Sequence, residues 1–161
     1  MTRREYNNAV DQHADALYRF ILKSMGDSDA AKDVVQDVFA KLWEKHENVE
    51  FDKSKSYLFT SGYRTMIDAF RRNKFKADFD EGVARTYSHD KQYSDLSEVL
   101  DVAVKRLPEI QRSAILLRDY EGYSYQEIGE LLGLNESQVK VYIFRARKTL
   151  QLYLKSVEAV L

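Results

Sequence analysis

Apolar residues recur at helical spacing along nearly the whole chain, and strand-like alternation occurs nowhere in it. Tyr6, Val10, Ala14, Leu17, Tyr18, Ile21, Leu22 and Met25 form the first stripe, which Gly26 ends. After an Asp27-Ser28 cap, Ala31, Val34, Val35, Val38, Phe39 and Leu42 form a second stripe reaching Trp43, and Asp33, Gln36, Asp37, Lys41 and Glu44 are left outward. Polar residues at 46–56 read as a loop. A third helix is predicted from near Tyr57, with Phe59, Tyr63, Met66, Ile67 and Phe70 inward and Thr60, Arg64, Thr65, Asp68, Arg71 and Arg72 outward. From 77 to 94 the period lapses into Asp, Glu, Gly, Ser and Thr, the composition of a flexible linker. Leu96, Val99, Leu100, Ala103, Val104 and Leu107 then resume it, and Pro108 fits the first turn of the next helix, where its missing amide costs nothing.

The segment 107–150 reads as a helix-turn-helix. Ser124 and Glu127 make a capping box that starts a helix at Tyr125; Ile128, Leu131 and Leu132 give it an apolar stripe, and Gly133 supplies the left-handed residue that stops it. Asn135, with Gln138 three residues on, opens a second helix whose buried face is Val139, Ile143, Ala146, Leu150 and Leu154. Gly129 falls where the two helices cross, a place that a side chain larger than Ala would obstruct. Opposite the buried stripe, Lys140, Val141, Phe144, Arg145 and Lys148 share a face, and Glu136 is the only acid between Glu136 and Lys155. Such a face suits the major groove, because Arg and Lys pair with phosphates or guanine edges and apolar side chains meet thymine methyls.

The predicted fold is therefore all-α: two small helical bundles joined by a flexible linker, at 1–76 and 95–161, the second containing the helix-turn-helix. A length of 161 residues with 44% hydrophobic residues supports two real cores. Net charge is −1, so affinity for nucleic acid must come from local segregation of charge. Arg64, Arg71, Arg72, Lys74 and Lys76 face only Asp68 in one segment, whereas Asp27, Asp29, Asp33 and Asp37 form an acidic stretch. The absence of cysteine fits a reducing cytosol and excludes thiolate metal sites, and no run is long and apolar enough for membrane insertion. His13, His46 and His89 are scattered, with no phosphate loop and no metal-ligand spacing, so neither an enzyme nor a cofactor is expected.

Asp29-Ala30-Ala31-Lys32-Asp33-Val34-Val35-Gln36-Asp37-Val38-Phe39-Ala40-Lys41-Leu42-Trp43 resembles the second-region helix of bacterial sigma factors of the extracytoplasmic-function (ECF) type. Leu107-Pro108-Glu109 through Arg145-Ala146-Arg147 is similar to their fourth region, so the resemblance covers both bundles in order. It implies a cytoplasmic, nucleoid-associated subunit of RNA polymerase, free of covalent chemistry, that directs core polymerase to promoter DNA. By the same resemblance, Asp33, Gln36, Asp37 and Lys41 dock on the clamp coiled coil of the largest polymerase subunit, and the flap of the second subunit is a further contact. The third helix meets the minus-ten element through Tyr57, Thr60, Arg64, Arg71, Arg72 and Lys74, with Tyr57 and the loop at 49–55 offering platforms for extruded bases. Gln138, Lys140, Val141, Phe144, Arg145 and Lys148 read the minus-thirty-five element as duplex, and Ser124, Tyr125 and Gln126 at a helix N-terminus, with Arg147, hold phosphate.

Two stretches depart from the family's usual pattern. Ser61-Gly62-Tyr63-Arg64 places a glycine inside the third helix, at about 1 kcal/mol relative to Ala, and Val141 and Tyr142 replace small polar or basic residues. Weak unaided promoter reading follows as an expectation, with an anti-sigma factor or a recruiting protein as a regulator. The competing reading is a stand-alone helix-turn-helix regulator bound to an operator, which the second bundle alone does not distinguish. Operator binders usually dimerise through an apolar seam, and here the outward face of the second helix is charged.

Overall fold

A computed structural model of the protein describes residues 1–77 and 95–160, with the helix ends at 74–77, 95–96 and 159–160 as backbone. The linker expected at 77–94 lies outside the described residues except for Ala77, which closes a helix. Among the described residues seven α-helices follow one another: α1 (Arg3–Met25), α2 (Ser28–Glu44), α3 (Ser54–Ala77), α4 (Asp95–Arg106), α5 (Glu109–Ile115), α6 (Tyr125–Leu132) and α7 (Glu136–Val160). No strand occurs among the described residues.

The capping residues read from the sequence set the helix ends. Gly26 ends α1 at φ 72°, a left-handed conformation that glycine adopts without strain. The Asp27 carboxylate then accepts from the amides of Asp29 and Ala30 at the start of α2. Ser124 and Glu127 exchange their reciprocal bonds at 3.0 and 3.1 Å, so α6 starts at Tyr125 as expected. Asn135 and Gln138 do the same at 3.0 and 2.8 Å before α7.

The structure corrects two local expectations and adds a turn. The loop at 46–56 contains two 3-10 turns, His46–Asn48 and Phe51–Lys53, and α3 starts at Ser54, three residues before Tyr57. The Ser54 hydroxyl donates to the Phe51 carbonyl at 2.6 Å, which carries the second turn directly into the helix. Pro108 stands just before α5, with ψ 144°, rather than within its first turn. Between α5 and α6 a π-helical turn, Leu116–Tyr120, appears where simple continuation of the apolar period gave no sign of it.

Helices α1, α2 and α3 enclose the first core. Leu17, Phe20, Ile21, Leu42, Leu58, Phe59 and Met66 are fully buried there, each worth about 1.5–3 kcal/mol of burial. Phe20 lies outside the stripe predicted for α1. It is buried because α1 is covered on more than one side, and its ring lies 5.8 Å from that of Phe59. The second core joins α5, α6 and α7 around Leu117, Ile128, Val139 and Ile143. Buried residues run continuously from one bundle into the other, because α1 and α3 also pack against α4, α6 and the π turn.

Both interior glycines have steric reasons. A Cβ on Gly62 would stand 2.9 Å from Leu17 Cδ1, so this glycine lets α3 approach α1. A Cβ on Gly129 would meet the Leu134 carbonyl oxygen at 2.6 Å. The obstruction at Gly129 is therefore stricter than expected: it comes from the backbone of the turn, so even Ala would force that backbone to shift.

Candidate functional site

On α2, Asp33, Gln36, Asp37 and Lys41 are all exposed, which follows from their position opposite the buried Val34, Val38 and Leu42. Asp37 and Lys41 pair along the helix at 3.0 Å. Solvent screens such a pair, so its value is geometric more than energetic. Beside this face, a groove of about 440 Å³ between α2 and α3 is lined by Asp33, Asp37, Thr65 and Arg72. An adjoining groove of about 400 Å³ gathers Asp37, Lys41, Asp68, Arg71 and Arg72. The structure thus brings Arg71 and Arg72, expected on DNA, alongside the acidic residues expected on polymerase. Arg71 also donates to Asp68 at 2.9 Å.

Tyr57, Thr60 and Arg64 gather elsewhere. They line a separate open groove of about 440 Å³ with Val49, Glu50 and Lys53 from the 3-10 turns, within the range of small-ligand sites at about 300–1,000 Å³. Tyr57 is half-buried and Arg64 exposed, so an aromatic wall and a cation border one concavity. The side chain of Lys74 falls outside the described residues.

In α7 the outward residues stand as the period requires. Phe144 is 67% exposed and Val141 44%, and Lys140, Arg145 and Lys148 accompany them. Val141 and Phe144 thus form an exposed apolar pair flanked by cations, a surface on which a partner can be seated. Gln138, Val141 and Arg145 line a shallow groove of about 240 Å³ at the helix start. The Gln138 side-chain oxygen accepts from the Asn135 amide, while its NH2 group has no partner in the capping pair. Lys140 lies 3.6 Å from Glu136.

Around α6 the sequence reading was incomplete. Ser124 is committed to its capping box, leaving the amides of Tyr125 and Gln126 at a helix start without intrahelical acceptors. The Tyr125 ring carries the Arg118 guanidinium at 4.3 Å and the Lys140 ammonium at 5.5 Å, and Arg118 also donates to the Tyr123 carbonyl at 2.9 Å. Arg147 is held by Asp119 through Nη2 at 2.7 Å and Nε at 3.4 Å. That hydrogen bond raises the pKa of the Arg147 guanidinium, keeping it charged. Arg118 and Asp119 had no signal in the apolar period, because the π turn sets their direction.

Sigma-70 region 2 matches residues 9–76, and sigma-70 region 4 matches residues 90–150. The chain belongs to the sigma-70 family. An ECF RNA polymerase sigma factor, SigE of Mycolicibacterium smegmatis, is 30% identical over 92% of the chain, which spans 61% of that relative's length. The RNA polymerase sigma factor YlaC of Bacillus subtilis is 29% identical over 87% of the chain and 86% of its own. Among solved structures, the sigma factor RpoE of Bartonella quintana, in complex with the anti-sigma factor NepR, superposes with a TM-score of 0.82. That match has 28% identity and covers 94% of this chain and 98% of the other. This sigma factor is therefore of the ECF type, and a match to region 2 across the first bundle disfavours a stand-alone operator binder. Among the described residues, no helix is long and apolar enough to cross a membrane.

Proposed function

We propose that this sigma factor divides promoter reading between its two bundles, bounded at residues 1–76 and 95–161. The exposed face Asp33, Gln36, Asp37 and Lys41 docks on the clamp coiled coil of the largest subunit, and the second bundle also meets the flap of the second subunit. Charges on a rigid helix tune encounter and register with a basic partner. Tyr57 and Thr60 border the groove for a base extruded from the minus-ten element, while Arg64 holds the adjoining backbone. Arg71 and Arg72, beside the docking face, bind DNA where it passes polymerase, with Lys74 further along α3.

The second bundle reads the minus-thirty-five element through Gln138, Lys140, Val141, Phe144, Arg145 and Lys148, with the α6 N-terminus at Ser124, Tyr125 and Gln126 and the Arg147 cation on phosphates. The observation that carries this reading is the outward face of α7, where Phe144 is two-thirds exposed between Lys140, Arg145 and Lys148. The protein works in the bacterial cytoplasm at the nucleoid, without cofactor, metal or covalent chemistry of its own. An anti-sigma factor or a recruiting protein controls it, by analogy with the solved relative bound to an anti-sigma factor.

Pull-down of core polymerase on the immobilised chain tests the docking half. Asp37→Lys together with Asp33→Lys should abolish capture while the helical circular dichroism persists. Undiminished capture would remove α2 from the interface.

A further inference from the structure

The wall that the 3-10 turns give to the groove beside Tyr57 needs support from outside itself. Runs this short bond poorly along their own backbone, and the Val49 amide reaches the His46 carbonyl only at 3.4 Å. His46 supplies the support. Its imidazole lies flat on the indole of Trp43, with ring centroids 4.2 Å apart and planes 7° from parallel. Nδ1 stands 2.5 Å from the Trp43 carbonyl oxygen, one of the last carbonyls of α2, which the helix itself leaves without a donor. A carbonyl only accepts, so Nδ1 carries the proton. Trp43 is held in turn: Tyr6 of α1 packs edge-on against the indole at 5.0 Å, and the Tyr6 hydroxyl donates to the Phe39 carbonyl at 3.0 Å.

The same segment carries the groove. Just beyond His46, Asn48, Val49 and Glu50 form one side of that concavity, and Tyr57, Thr60 and Arg64 of α3 form the other. The Met1 ammonium donates to the carbonyls of His46 and Val49, at 2.5 and 2.8 Å, tying this backbone to the start of α1. The stack ties it to α2. At its far end the Ser54 hydroxyl bond to the Phe51 carbonyl leads the loop into α3, so the wall spans two helices and His46 sets where it leaves the first. Trp43 stays 43% exposed, so it is not a core residue: what it packs is the loop. The apolar period gave no sign of the pair, because Trp43 reads there as the end of the α2 stripe and His46 as one of three scattered histidines.

We propose that His46 is a positioning residue for minus-ten recognition: stacked on Trp43, it fixes the loop wall against which an extruded base seats opposite Tyr57. The inference rests on the reading of that groove given above. His46 touches no base itself. Its stack orders the wall before DNA arrives, so less ordering remains to be done when the base enters. Without the stack the groove keeps its own side chains but its wall wanders. Base seating weakens, whereas polymerase docking through α2 and duplex reading through α7 do not.

Trp43 is the only tryptophan of the chain, so its emission in the free protein reports the stack. His46→Ala should move that emission to the red by baring the indole, and His46→Phe, which keeps a flat ring there, should leave it near the parent's. With core polymerase bound, base seating is read by single-stranded non-template oligonucleotides from a selected promoter, carrying 2-aminopurine at each minus-ten position in turn. At one position the parent should change the probe's emission on binding. His46→Ala should weaken that binding about threefold to tenfold, the span expected for one lost aromatic pair, and His46→Phe should restore most of it. Capture of core polymerase and affinity for minus-thirty-five duplex should stay as in the parent. Unchanged Trp43 emission in His46→Ala, or unchanged seating of the probe, overturns the inference. Equal losses in core capture and duplex binding overturn it too, since His46 would then support the whole fold. If no position responds in the parent, the groove reading fails and this inference with it; a parent and a His46→Ala protein that seat the probe equally well sink the inference alone.

Discussion

Asp119 holds Arg147 across 28 residues of sequence, with Nη2 to Oδ1 at 2.7 Å, and so places a carboxylate beside the helix that carries the cations proposed to face DNA. Asp119 arrives there because the π turn redirects the chain between α5 and α6. The pair partly neutralises Arg147 before any DNA is present.

Asp119→Asn should therefore increase affinity for duplex of every sequence and steepen the dependence of log K on log salt by about one. The cost to stability should be below about 1 kcal/mol, since the side chains of Arg147 and Asp119 are 46% and 39% exposed. Fluorescence anisotropy over a salt series measures the slope. An unchanged slope would show that Arg147 takes no phosphate.

Gly129→Ala should destabilise the protein by about 1–3 kcal/mol, because the new Cβ meets the Leu134 carbonyl oxygen and backbone must move. Chemical denaturation followed by circular dichroism measures it. A neutral result would mean that the turn at 133–135 yields freely.

These two sites show what could be read from the sequence and what could not. Capping pairs, Gly26 and Gly133 announce helix ends because they act within a few residues, and the α7 outer face follows from a period of 3.6. The outward sets on α2 and α7 were legible for that reason. Asp119, Arg118 and Glu121 were not, since their roles depend on a π turn and on contacts made between distant segments. Phe20 was missed for a related reason: helical periodicity marks one buried side, and α1 has more than one. Gly62, read from sequence as a weakness in α3, became intelligible only when Leu17 was seen against it.

The capping box of α6 gives a pH signature. The Ser124 amide hydrogen bond holds the Glu127 carboxyl below the usual carboxylate range, with the Ser124 side chain adding to it. A depressed folded-state pKa contributes stability that is present above the unfolded value and lost as pH falls through the folded one. Thermal melting of Glu127→Gln beside the parent protein should show the parent's advantage at neutral pH and its shrinkage below about pH 4. A difference independent of pH would mean that the ionised carboxylate adds nothing to the cap.

Transcription reconstituted from core polymerase, this chain and a library of promoter templates tests the division of labour most directly. The account predicts starts that depend on two separated elements, with Arg145→Ala weakening selection at the upstream element by about 1–3 kcal/mol and leaving the downstream preference intact. Starts that ignore both elements, or an Arg145→Ala protein that loses both preferences equally, would contradict it.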